Sequence, residues 1–180
     1  MRAYPLLLVG LALSGCAGTS IVHSSYYNSA YTPGHVQLAA ASGPSLAVIR
    51  NDPFPADRDN AGVLAAMQGR NFGPKMYFTQ TPRPEDRYGY KVVMDFGSAS
   101  ARYASQCAAP PTPPAATPLA GPIAATASFC VGDVLLTDAS GSISGATGPD
   151  DPAFRRLIGD LMVALTPPYD PNRRGDEWPF

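Results

Sequence analysis

Proline decides where regular structure can lie in this chain. Twenty of the 180 residues are Pro and seventeen are Gly. A proline ring fixes φ and removes a backbone donor, so Pro is excluded from helix interiors and central strands. Regular elements are therefore confined to the stretches between prolines, and many turns and loops are implied. The apolar fraction of 45% is ordinary. It points to a globular core with long excursions rather than to disorder throughout.

Between the prolines the periodicity is readable. Ser45-Leu46-Ala47-Val48-Ile49-Arg50 is an apolar run bounded by Gly43-Pro44 and Asp52-Pro53, which predicts a buried strand. Asp57 or Asp59 caps a predicted helix through about Arg70, with Val63, Leu64 and Met67 on one face and Gly73-Pro74 as its stop. Met76–Thr79 reads as a short strand before the break Pro82-Arg83-Pro84. From Tyr88 to Phe96, Tyr90, Val92 and Met94 alternate with Lys91, Val93 and Asp95, the pattern of a strand. Pro110, Pro111, Pro113, Pro114, Pro118 and Pro122 predict a stiff extended loop over 108–129. Ala124 through Leu136 reads as one long strand, with Phe129, Val131 and Leu135 on one face and Cys130, Val134 and Leu136 on the other. Ser140-Gly141-Ser142 reads as a turn, and Ile143 as part of a returning strand. The clearest helix is the last. Asp151 caps it, Pro152 takes its first turn, and Phe154, Leu157, Ile158, Leu161 and Leu165 form one apolar stripe.

The order of strand, helix, strand, strand, helix predicts a single α+β domain over 44–168, with helices on one face of a mainly antiparallel sheet. Residues 16–43 read as a linker holding His23, Tyr26, Tyr27, Tyr31 and His35, with a short strand around Gln37–Ala41. The tyrosines there are expected to pack on the domain or in a membrane interface. Residues 169–180 read as a polar tail, partly disordered.

The N-terminal segment carries an address. Arg2 supplies one positive charge, and Leu6 to Leu13 form a short apolar run. The run is far below the roughly 20 residues that span a bilayer as a helix, so it reads as a secretory signal over 1–15. It ends in Leu13-Ser14-Gly15-Cys16. Small residues directly followed by Cys resemble the lipobox of bacterial lipoproteins. The resemblance implies cleavage before Cys16, a diacylglycerol on its thiol and an acylated amine, which together give stable anchoring. Ala17, rather than Asp, then favours the outer membrane. Loss of Arg2 takes the formal charge from −1 to −2 (−1 − 1). A near-neutral chain has no electrostatic footprint for nucleic acid.

With Cys16 assigned to lipid, Cys107 and Cys130 remain as an even pair in an exported chain and are expected to form a disulfide. Neither has a CxxC or CxxH partner for a metal site. Other chemistry is scarce. No GxSxG or HExxH motif occurs. His23 and His35 lie in the expected linker, where no rigid scaffold fixes a general base. Ser140 has no local base and reads as a turn serine. Asp52, Asp57 and Asp59 are close enough to suggest calcium, but the two intervening prolines and a missing loop glycine favour a turn and a helix cap. Asp133 and Asp138 are a conceivable carboxylate pair for glycoside cleavage, yet their spacing puts them on opposite strand faces.

The remaining resemblance is looser. Asp52-Pro53-Phe54 after the first strand, Phe78-Thr79 before a proline turn, a Cys on each side of a Pro-rich loop, and Asp151-Pro152-x-Phe154 opening the final helix resemble small bacterial envelope lipoproteins. That resemblance implies an envelope role and supplies no activity. The expectation is a membrane-anchored lipoprotein with a non-enzymatic binding or structural role, no cofactor and an envelope protein as partner. A carboxylate-dependent hydrolase and an accessory subunit of an envelope transporter are the alternatives.

Overall fold

The computed structural model describes residues 21–54, 56–83, 89–96, 105–108 and 121–170. The lipobox with Cys16, the prolines at 110–118 and the tail beyond Asp170 lie outside the described residues. The described chain is an α+β fold around one six-stranded sheet, mostly antiparallel, in the order β1-β6-β5-β4-β2-β3. Its elements are β1 Ile21–Tyr27, α1 Pro33–Ala41, β2 Ser45–Arg50, α2 Ala61–Met67, β3 Phe78–Thr79, β4 Tyr90–Phe96, α3 Ser105–Ala108, β5 Ile123–Val131, β6 Val134–Ile143 and α4 Pro152–Leu165. The pairs β1–β6, β6–β5 and β5–β4 are antiparallel, and β2 runs parallel to both β4 and β3.

Three readings are corrected here. The expected linker contains β1, which closes one edge of the sheet, and α1, which replaces the short strand expected at Gln37–Ala41. Pro33 stands in the first turn of α1, where its missing N–H has no helical partner to lose. The expected long strand is a hairpin instead. Val131 pairs with Val134 across the two-residue loop Gly132-Asp133, and Gly132 takes the left-handed φ of 53° that this tight loop requires. Ser140-Gly141-Ser142 is therefore not a turn but the far half of β6, paired with both β1 and β5.

The main core lies on one face of the sheet, under α1, α2 and α4. The stripe expected on α4 is buried: Phe154, Leu157, Ile158, Leu161 and Leu165, with Met162 beside them. Burying each such side chain is worth about 2 kcal/mol. The Asp151 carboxylate accepts from Ala153 N at 2.9 Å and caps the helix. At the other end Thr166 Oγ1 donates to Met162 O and accepts from Phe72 N. On the face of the sheet under α4, β5 and β6 carry the small residues Ala125, Ala127, Ala139 and Gly141. Phe54 meets Phe154 edge-on at 4.9 Å, and Phe96 stacks on Phe154 at 5.9 Å. Among the described residues no helix is long and apolar enough to cross a membrane.

Candidate functional site

The second face of the sheet has a different character. Strand alternation places Arg50, Asp95, Thr126 and Ser140 in one row across β2, β4, β5 and β6, and Val48, Val93, Ser128 and Asp138 in the next. Arg50, Asp95, Thr126, Ser128 and Asp138 are all buried. Charged and polar groups persist in such a place only when hydrogen-bonded or paired. Part of the cover comes from the four-residue helix α3, the one described helix on this face. Gln106 of α3 is buried beside Ser128, and the Arg50 guanidinium donates to Gln106 O at 3.2 Å. Asn51 Nδ2 donates to Asp95 Oδ1 at 2.8 Å. Below the polar rows lies a small apolar cluster of Val93, Cys107, Cys130 and Leu135. Cys107 and Cys130 are joined there by a disulfide with Cα atoms 5.9 Å apart, which ties α3 to β5. Burial raises the pKa of the Asp138 carboxyl, partly opposed by its hydrogen bond with Ser128.

The acidic loop at the end of β2 is built as turn and cap. The Asp57 carboxylate accepts from Gly62 N at 2.9 Å and from Val63 N at 3.2 Å, at the start of α2. Asp52 Oδ1 accepts from Phe54 N at 2.8 Å, while its Oδ2 is buried with no hydrogen-bond partner. Burial, helped by the nearby Asp57 charge, pushes the Asp52 carboxyl from 3.8 up to about 6. Asn51, Asp59 and Asn60 all adopt left-handed φ in this loop, a conformation that Asn and Asp tolerate better than most residues. Among the described residues no three His, Cys, Asp or Glu side chains converge as a metal-holding group.

The other sequence candidates do not converge either. Asp133 sits in the β5–β6 turn with its side chain 78% exposed, 3.4 Å from Lys91 Nζ, whereas Asp138 is buried further along β6. They do not form a carboxylate pair. His35 is not loose in a linker. Its Nε2 lies 3.1 Å from Ala30 O and its Nδ1 2.9 Å from Tyr90 Oη. A carbonyl only accepts, so Nε2 carries the proton and Nδ1 accepts from Tyr90. The Tyr90 ring in turn stacks on Phe129 at 5.6 Å, which makes His35 a clip between α1 and β4. Tyr31 is fully buried and donates to Pro167 O at 2.8 Å, so it belongs to the domain core. Gln106, Ser128 and Arg50 were missed as site residues. The alternation of Thr126 and Ser128 with Ala125, Ala127 and Phe129 was the available signal for a polar second face.

The class defined is an α+β domain with a helical layer on one face and a disulfide-tied strap over a buried polar face. No protein-family model and no curated protein matches the chain. Among solved structures, a variant PelC dodecamer from Paraburkholderia phytofirmans matches with a TM-score of 0.43 and 12% identity, over 83% of this chain and 98% of that one. A second crystal form of the PelC dodecamer from the same organism matches with a TM-score of 0.39 and 14% identity over the same shares. These similarities are too low to transfer any property of those proteins to this chain.

Proposed function

We propose that the protein is a lipid-anchored envelope lipoprotein with a non-enzymatic binding or structural role. The observation that carries this reading is Leu13-Ser14-Gly15-Cys16 directly after a short apolar run. The Cys107–Cys130 disulfide supports it, because such bonds persist in exported proteins and are rare in reducing compartments. The non-enzymatic part is supported by what the polar side chains do. Asp57 caps a helix, His35 clips α1 to β4, and Asp133 meets Lys91. The lipid holds the membrane, and the domain takes an envelope protein as its partner. Anchoring is tested by metabolic palmitate labelling. Wild type is expected to be labelled and processed, and Cys16→Ser to accumulate as unlabelled precursor. Labelling that persists in Cys16→Ser defeats the proposal.

A further inference from the structure

The outward face of α4 gathers charge over a residue without a side chain. Arg155 and Gly159, and Arg156 and Asp160, are pairs four apart, so all four stand on one side of the helix. With Arg70, which follows α2, and Asp150, which precedes α4, they line an open cleft of about 530 Å³. Arg70 reaches across to α4: its Cδ lies 3.9 Å from where a Cβ would stand on Gly159. Three guanidiniums thus share one cleft. Arg155 is ion-paired with Asp150, and Asp160 is engaged as well. Arg70 and Arg156 are exposed, and among the described residues neither has a hydrogen-bond or ion-pair partner.

Like charges held close repel, and an anion between them reverses the sign of that interaction. The donor set says which anion. A guanidinium presents its N–H groups as a fork that fits two oxygens of one partner. Two forks on one group are best served by at least three acceptor oxygens. A carboxylate or a phosphodiester offers two such oxygens, whereas a phosphate monoester offers three and carries about −1.5 to −2 charge at pH 7. The cleft is also in the range of roughly 300–1,000 Å³ that takes a whole small molecule rather than a bare ion. Its remaining polar groups, the carboxylates of Asp150 and Asp160, only accept, which suits hydroxyl groups. We infer that the cleft binds a phosphorylated sugar or polyol, its phosphate between Arg70 and Arg156 and its hydroxyls toward Asp150 and Asp160. This site is independent of a lipid on Cys16.

The test titrates the full chain with glucose 1-phosphate at about 0.15 M ionic strength, where attraction between distant exposed charges is largely screened. Saturable binding is expected, weakened about tenfold by Arg70→Gln and by Arg156→Gln, and by less than about twofold by Lys91→Gln. Lys91 alternates with the core residues Val92 and Met94, so it stands on the face of the sheet away from α4. An equal loss in Lys91→Gln means general charge attraction and overturns the site. Glucose lacks the phosphate and inorganic phosphate lacks the hydroxyls. Each is expected to bind at least about tenfold more weakly than glucose 1-phosphate, and parity of either overturns the ligand class. Amide NMR of the wild-type protein needs no variant to fold. The backbone N–H signals of Arg156 and Gly159 are expected to shift and saturate as glucose 1-phosphate is added. Signals in α4 that stay in place overturn the site.

Discussion

A single carboxyl at the end of β2 illustrates how burial converts into pH dependence. Asp52 keeps one oxygen on Phe54 N and buries the other without a partner, so its pKa rises to about 6. A raised carboxyl pKa means that the fold prefers the neutral form. The stability that depends on this group is therefore greatest at low pH and falls as pH rises from about 4 to about 6, the reverse of a salt-bridged aspartate. Asp52→Asn removes the ionisation and keeps an acceptor for Phe54 N. It is expected to stabilise the protein at pH 7 by on the order of 1 kcal/mol, after discounting for the part of the side chain open to water. Urea unfolding at pH 7 and pH 4 checks this: the gain should be present at the higher pH and absent at the lower.

Two helical glycines separate local propensity from packing at the scale of elements. A Cβ at Gly62 in α2 would lie 2.3 Å from Pro149 Cβ and 2.6 Å from its Cγ, contacts too short for the chain to absorb. A Cβ at Gly159 in α4 would meet Arg70 Cδ at 3.9 Å, an ordinary contact. Helix propensity favours Ala over Gly by up to about 1 kcal/mol at an interior position. At Gly159 nothing opposes it, so Gly159→Ala is expected to stabilise by about 0.5–1 kcal/mol. At Gly62 the overlap wins, and Gly62→Ala is expected to destabilise by about 1–3 kcal/mol. Opposite shifts of the urea midpoint at unchanged slope would show both effects. Five of the ten elements, β2, α2, β3, β4 and α4, were legible in the same local terms. The α4 stripe, its Asp151 cap, and β2 between its flanking turns stand where periodicity and punctuation put them. The β5–β6 hairpin was missed although Gly132-Asp133 is a two-residue hairpin signal, because the apolar residues on both sides read as one continuous run.

Register fixes which end of the whole molecule faces where. Ile21 pairs with Ser142 at one end of the sheet, and Tyr27 pairs with Thr137 toward the other. The second end also holds Ser45, whose N–H donates to Tyr77 O, and Thr137 Oγ1, which donates to Leu165 O at the close of α4. There Leu38, Phe72, Tyr77 and Tyr169 are 50–66% exposed. The chain enters β1 at the opposite end. Contiguous exposed apolar patches mark contact surfaces, whereas scattered single residues do not. If this end carries the contact with the envelope partner proposed above, the double substitution Phe72→Ser with Tyr77→Ser is expected to abolish crosslinking to it in intact cells while leaving the thermal midpoint within a few degrees. Retained crosslinking would remove this end from the contact surface.

The chain's own residues determined the α+β class, α4 with its cap, β2 and the Cys107–Cys130 pair, because each depends on spacing along a short segment or on a count of cysteines. Tertiary structure decided the rest. The segment around His23–Ala41 has few local strand or helix signals, and its place came from partners far along the chain: β6 for β1, Tyr90 for His35 and Pro167 for Tyr31. Gln106, Ser128 and Asp138 are unremarkable polar residues in sequence, 22 and 10 positions apart. They become a buried hydrogen-bonded set only after β5 and β6 pair and the disulfide brings α3 over them. Burial of polar groups is a property of the assembled layers, and no local periodicity reports it.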